Sequence, residues 1–318
     1  MGDIHPLILT VTLNPALDLS TEVAQVSAGP KLRCAAPHLD PGGGGINISR
    51  AIAAMGGQST ALVALGGVMG VRLTSLLTEQ GIQLSQLTAP GETRLSFSVT
   101  DQGSGAQYRF VMPGPVWSQI QVNAAQQAIA LAMQAGGYVV YSGSQPPGFP
   151  DDFIAKLSSS LPHSARLIVD TSGGPLLAAT NATHARLDVL RMDSEEAEAV
   201  AKTALTSRQD SADFAQKLAL RGVANRVIIA RGADGSVMAT PDERWFCTAA
   251  KVPVVSKIGA GDSFVAGFVL AMSRGQSDVE ALAQGVAAAS AAVMTPATEL
   301  CRASDVIDLL DQCSVTRC

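Results

Sequence analysis

The sequence predicts an α/β protein: a mostly parallel sheet with helices on both faces, plus a small β-sheet lid. Three observations carry this. Short runs rich in valine, isoleucine and leucine alternate with longer amphipathic stretches, the rhythm of sheets whose strands are joined by helical crossovers. Two segments break that rhythm and read as antiparallel strand material, the second with apolar residues alternating with serines. The 318 residues are 47% hydrophobic and 15% charged, which is ample for a buried core and far from the composition of a disordered chain.

The strand candidates are residues 7–13, 60–65, 138–142, 166–171 and 226–231, each a brief β-rich run bounded by turn residues. Among the helix candidates, 46–55 sets Ile48, Ile52 and Met55 on one face, and 263–272 does the same with Val265, Phe268, Val269 and Met272. Segment 281–293 is alanine-rich and strongly helical in propensity. Segments 17–25 and 93–112 read as antiparallel strand material. In the second, Leu95, Phe97 and Val99 alternate with serines, and Asp101-Gln-Gly-Ser-Gly105 turns the chain into a further strand. Together they make the lid, inserted at about 17–40 and 93–113 into a single domain spanning 1–318. An ordinary edge hairpin is the alternative. The sequence has no internal repeat, low-complexity tract or interdomain linker.

Composition excludes several function classes. The net charge is −5 and no lysine and arginine cluster offers a footprint for nucleic acid. An anionic ligand must therefore be gripped by a few local cations rather than by a global field. No stretch approaches the roughly 20 apolar residues that span a membrane. Residues 1–5 carry an acid where a secretory leader has basic residues. Cys34, Cys247, Cys301, Cys313 and Cys318 are scattered without a C-x-x-C pair. That argues against a zinc site or disulfide framework and for a reducing cytoplasm.

The strongest chemical signal is Gly259-Ala260-Gly261-Asp262 at the start of the 263–272 helix. Glycine lets the backbone bend and approach a ligand, and a helix start offers unpaired N–H groups and a positive dipole end. Negative charge building on a transferring group is stabilised there, and an adjacent carboxylate can take a proton from an attacking hydroxyl. The plainer alternative makes Asp262 only an N-cap. A second signal is Asp40-Pro-Gly42-Gly43-Gly44-Gly45-Ile-Asn47. Four glycines are costly in chain entropy and imply close backbone approach, while Asn47 can donate to and accept from sugar hydroxyls. A flexible turn is the competing reading. Asp18 closes the first strand and suits hydroxyl recognition. Lys31, Arg33 and Arg94 suit phosphate, or are solvated surface charges. The loop from Ser144 to Gly148 follows a strand, at the sheet edge where open α/β folds bind ligands.

These residues resemble the paired signatures of the PfkB (ribokinase-like) family of carbohydrate kinases. The runs Thr12-Leu-Asn-Pro-Ala-Leu-Asp18, Lys31-Leu-Arg-Cys34, Gln107-Tyr-Arg-Phe-Val-Met-Pro113 and Ser142-Gly-Ser-Gln-Pro-Pro-Gly148 are similar to its 6-phosphofructokinase branch. The resemblance implies a three-layer α/β/α ribokinase-like sandwich whose lid pairs in a homodimer, and phosphoryl transfer from ATP with Mg2+ to a sugar phosphate. It implies Asp262 as base and Gly259, Ala260 and Gly261 as the anion hole. Asp18, Gly43, Gly44, Asn47, Arg33, Arg94 and Ser144 would hold the sugar phosphate. Lys31, Arg191, Asp193, Gly232, Gly235, Val286 and Ser290 would hold nucleotide, and Glu196 would organise the metal.

Some positions depart from the family pattern. Arg191-Met-Asp193 stands where Lys-Pro-Asn is usual, so Asp193 brings an extra negative charge that magnesium or Arg191 must offset. Ala230 replaces an expected hydroxyl. The run Thr295-Pro-Ala297-Thr-Glu299 lacks the residues of a potassium site, and Lys257 is expected to replace that cation. Fructose 6-phosphate is the expected acceptor; tagatose 6-phosphate or fructose 1-phosphate is the alternative. The altered nucleotide side also leaves open a weakly catalytic sugar-phosphate-binding protein.

Overall fold

The computed structural model describes residues 6–133, 136–182, 186–296 and 298–318. Residues 1–5 and Ala297, both used above, lie outside the described residues. The strands are β1 (Ile8–Thr12), β2 (Ala16–Val23), β3 (His38–Gly42), β4 (Thr60–Leu65), β5 (Gln83–Thr88), β6 (Arg94–Asp101), β7 (Gln107–Val111), β8 (Gly137–Ser142), β9 (Ala165–Asp170), β10 (Leu187–Asp193), β11 (Ala224–Ala230), β12 (Gly235–Ala239), β13 (Arg244–Thr248) and β14 (Val315–Arg317). The helices are α1 (Gly44–Ala54), α2 (Gly67–Glu79), α3 (Gln119–Ala132), α4 (Phe153–Ser160), α5 (Gly173–Asn181), α6 (Ser194–Ala201), α7 (Arg208–Leu220), α8 (Ala260–Ser273), α9 (Asp278–Ala292) and α10 (Ala303–Leu310).

A 10-stranded sheet runs β14-β13-β12-β11-β10-β9-β8-β1-β4-β5. From β11 to β5 every neighbouring pair is parallel, and β12, β13 and β14 extend it antiparallel. The strand period sends alternate residues to opposite faces. Val139 and Tyr141 pack with α3, α4, α5 and α7 through Ile129, Phe153, Leu176 and Leu218. Tyr138 and Val140 pack on the other face with α1, α8, α9 and α10 through Ile52, Phe268, Val286 and Leu309. These are the three expected layers.

Helix α8 departs from its amphipathic reading. Every residue from Ser263 to Ser273 is buried, because α8 lies between the sheet, α1 and α9. The close fit depends on glycine: a Cβ at Gly267 would sit 2.7 Å from the Gln284 carbonyl oxygen.

The lid is a separate 4-stranded sheet, β3-β2-β6-β7, not an edge hairpin. One expectation is corrected here: β2 and β6 pair in parallel, while β2–β3 and β6–β7 are antiparallel. The chain leaves the lid after β3, builds α1, β4, α2 and β5 in the body, and returns with β6 in the same direction as β2. A crossover of that length permits parallel pairing, whereas a tight turn enforces the antiparallel kind. Asp40-Pro41-Gly42, the first part of the glycine-rich motif, forms the end of β3.

Candidate active site

Parallel strands deliver their C-terminal ends to one edge, and the register fixes what meets there. Ser142 pairs with Asp170, Asp170 with Arg191, and Asp193 with Ala230. Helices α1 and α8 both start at this edge. Gly259 caps α8 in the left-handed region, at φ 75°. A side chain there would be strained and would also meet Leu300 Cδ2 at 2.6 Å. Gly259, Ala260, Gly261 and Asp262 are all only partly buried, so the helix tip is open to an anion.

Asp262 joins the two glycine motifs. Its Oδ2 accepts a hydrogen bond from Asn47 Nδ2 at 2.9 Å, bridging α8 to α1. Burial pushes its pKa up to about 6, and the nearby Asp170 carboxylate adds to the rise; the Asn47 hydrogen bond, Arg191 and Arg50 act in the opposite sense. An ordinary N-cap aspartate would be stabilised as the anion by the helix end. Here Gly259 is the cap and Asp262 is the third residue of the helix. The N-cap alternative is therefore set aside.

The cation at the helix tip is Arg191. Its Nη1 lies 3.0 Å from Asp170 Oδ1, with both side chains nearly buried. A Cβ built on Gly261 would stand 3.0 Å from that same Nη1, so the guanidinium lies against the glycine backbone. Its Nε–H is buried without a partner. A buried guanidinium with unspent donors is suited to an anionic ligand. Lys257, by contrast, is exposed. Solvent screens an exposed ammonium, so the charge supporting the tip falls to Arg191.

On the sugar side, Asp18 lies directly across β2–β3 from Asp40 and across β2–β6 from Ser96. Two carboxylates in register are unfavourable. Burial lifts the Asp18 pKa to about 6, Arg94 and Arg109 lower it, and Asp40 raises it. Arg109 was not among the candidate site residues, although the run Gln107–Pro113 that holds it was singled out; it lies on an exposed strand. Arg94 donates to the Asn14 carbonyl through Nε and Nη2, at 3.2 and 3.1 Å. Asn14 in turn donates to Ser144 Oγ at 3.1 Å. Thus Asp18, Arg94, Ser144 and Asn47 share one edge with Asp262. The glycines at the end of β3 and the start of α1 gain a packing role too. A Cβ on Gly42 would collide with the Asp18 carboxylate, and one on Gly44 with Ser142 Oγ. Close approach is required, and protein side chains make part of it. Lys31 and Arg33 are exposed on the connection before β3 and join none of these groups.

On the nucleotide side, Asp193 is spent as the N-cap of α6. Its Oδ1 accepts from Glu196 N at 2.9 Å, and Glu196 Oε2 accepts from Asp193 N at 2.9 Å, a capping box. That reciprocal pair explains the aspartate: its charge serves the helix end. Burial raises the Glu196 pKa. Gly232 and Gly235 have φ 58° and 121° and shape the turn between β11 and β12. Val286 and Ser290 are buried on α9 behind α8. Among the described residues no group of three or more carboxylate, thiol or imidazole side chains gathers to hold a metal. Magnesium usually keeps several waters and is shared with substrate phosphates, and Glu196 and Asp170 are oxygen donors suited to it.

The family model for pfkB carbohydrate kinases matches residues 11–304. The chain belongs to that family. As a pfkB carbohydrate kinase it transfers phosphate to a sugar hydroxyl. Among curated relatives, it is 36% identical over 299 residues to the ATP-dependent 6-phosphofructokinase isozyme 2 of Escherichia coli, covering 94% of this chain and 96% of that one. It is 35% identical over 302 residues to the protein of the same name from Mycobacterium tuberculosis, covering 95% and 88%. Among solved structures, phosphofructokinase-2 of Escherichia coli in complex with potassium superposes with TM-score 0.90 at 34% identity, over 96% of this chain and 99% of that one. The ribokinase-like fold and the kinase chemistry expected of this family are thereby borne out. No helix among the described residues is long and apolar enough to cross a membrane.

Proposed function

We propose that this pfkB kinase phosphorylates the 1-hydroxyl of fructose 6-phosphate, using ATP with Mg2+. One observation supports the reading above the others: the Asn47–Asp262 hydrogen bond ties the carboxylate at the tip of α8 to the glycine-led start of α1. With a pKa of about 6, Asp262 is about nine-tenths ionised at neutral pH and still basic enough to accept a hydroxyl proton. The tip of α8 and Arg191 face the phosphate being transferred and stabilise its developing charge; such electrostatic positioning dominates phosphoryl transfer. Asp18 and Asn47 orient the sugar hydroxyls, and Arg94 and Arg109 neutralise Asp18 and the substrate phosphate. Bound magnesium supplies charge neutralisation between the nucleotide phosphates, with Glu196 as its protein anchor.

The fold also supports a homodimer through the lid. Strand β7 is exposed along its whole length, and Tyr108, Phe110, Val111 and Met112 leave 39–61% of their surface open. An unpaired apolar edge invites a second copy, and Lys31 stands on the same lid, where a partner's nucleotide would bring it into use. The substrate is tested by a coupled ADP assay with fructose 6-phosphate, tagatose 6-phosphate and fructose 1-phosphate. The highest kcat/KM is expected for fructose 6-phosphate. A preference of tenfold or more for fructose 1-phosphate overturns the assignment, and sugar-phosphate binding without any ADP release overturns the kinase reading.

A further inference from the structure

The Asn47 amide has two ends, and the structure uses both. Nδ2 donates to Asp262, and Oδ1 accepts from Arg50 Nη1 at 3.3 Å. A flipped amide would put an oxygen against a carboxylate and an NH2 against a guanidinium, both repulsive. Arg50 therefore determines which face of Asn47 meets the base. The guanidinium is itself held from outside the site. Nε donates to Gln80 Oε1, just past α2, at 2.8 Å, and Nη2 to the Thr298 carbonyl at 3.4 Å. It forms part of the wall of a cavity of about 550 Å³ behind α1, also lined by Gln80, Glu299 and Arg302. Glu299 and Arg302 pair with each other at 2.6 Å, which leaves Arg50 as the cavity cation turned toward the site.

We propose that Arg50 is a positioning residue for the kinase reaction, fixing the Asn47 amide so that Asp262 is presented, ionised, to the acceptor hydroxyl. The inference rests on Asp262 being the base. Burial lowers the pKa of Arg50, while Asp40, Asp18 and Asp262 raise it. The same side chain thus faces the base and both lid acids. The charged groups around Asp262 are Asp170 at the end of β9, Arg191 on β10 and Arg50 on α1. Removing Arg50 leaves Asp170 opposed by Arg191 alone and frees the amide to turn, and both changes favour the protonated acid.

The test is a carboxyl-carbon NMR titration of the full-length protein labelled with 13C-aspartate, with the Asp262 signal assigned by its loss in Asp262→Asn. In Arg50→Met the titration midpoint should rise. In Arg50→Lys, which keeps charge but loses the guanidinium fork, it should rise less. In Asn47→Ala, adding Arg50→Met should shift it by less than it does in wild type, the non-additivity of a shared path. Kinetically, a midpoint raised by one unit from about 6 should lower kcat/KM of Arg50→Lys about fivefold more at about pH 6 than at about pH 8.5. An unmoved midpoint in folded Arg50→Lys and Arg50→Met, or equal losses at all pH values, overturns the proposal. The titration needs no turnover, so an inactive wild type sinks the base assignment, while an active wild type with unmoved midpoints sinks Arg50 alone.

Discussion

Replacing Asp262 by asparagine separates its chemical role from its structural cost. The side chain keeps its shape and an oxygen for Asn47 Nδ2, but loses its charge. Its pKa rises from 3.8 to about 6 on folding, so the folded state binds more protons than the unfolded state between those values. Stability contributed by this group is therefore present at low pH and is lost as pH rises from about 4 to about 6. At roughly 1.4 kcal/mol per unit, the ionised carboxylate costs at most about 3 kcal/mol at about pH 8, and about half of that at about pH 5. Asp262→Asn should recover part of this. Urea denaturation at the two pH values should find the variant more stable than wild type by about 1–3 kcal/mol at the higher pH, with the gain shrinking at the lower. Its turnover should fall by about 10²- to 10⁴-fold, while sugar-phosphate binding by calorimetry persists. A gain independent of pH, or a destabilised variant, would refute the electrostatic reasoning, and near wild-type turnover would refute the role of base.

Asp18→Asn should raise KM for the sugar phosphate about 10- to 100-fold with a smaller effect on kcat, the scale of a charged hydrogen bond lost to substrate, as read by steady-state kinetics. Gly259→Ala should lose about 1–2 kcal/mol of stability through its left-handed backbone and reduce kcat by distorting the helix tip, seen by denaturation and rate together. Val111→Asp should shift the protein toward monomer in analytical ultracentrifugation by burying a charge at the lid contact; an unchanged dimer argues for another interface. Lys257→Ala should change initial rates less than about fivefold, as expected of an exposed charge, and a larger loss or a new potassium requirement would return that residue to the site.

Strands whose apolar runs are uninterrupted were legible in the sequence: β1, β4, β8, β9 and β11 all lie where the runs predict them. Strand β10 escaped because its sequence, Leu-Asp-Val-Leu-Arg-Met-Asp, carries three charged residues, and two of them, Arg191 and Asp193, serve the edge of the sheet and the cap of α6. Strand β5 reads as polar because it is an edge strand, and β12 to β14 are short and pair antiparallel beyond the alternating pattern. In the site, Asp262 and Asn47 were recoverable because glycine motifs mark them, and Asp18 because it follows Asn14-Pro15 at the end of the first strand run. Asp170 and Arg50 were not. Asp170 meets Arg191 on the next strand, and Arg50 is anchored by Gln80 and the Thr298 carbonyl, both distant in the chain; no local pattern encodes such meetings. Asp170 left a faint signal as an acid closing a buried strand.

The parallel pairing of β2 with β6 has a consequence for how this enzyme can be taken apart. The lid is stitched from two stretches of chain with α1, β4, α2 and β5 between them, β3 ending at Gly42 and β6 starting at Arg94. It is therefore no cassette: it cannot be excised, grafted onto another kinase or exchanged between relatives as one contiguous piece. Such a long-range closure also forms late during folding, so a ribosome-bound fragment ending before residue 94 has no assembled sugar-side floor. Specificity and scaffold are inherited together.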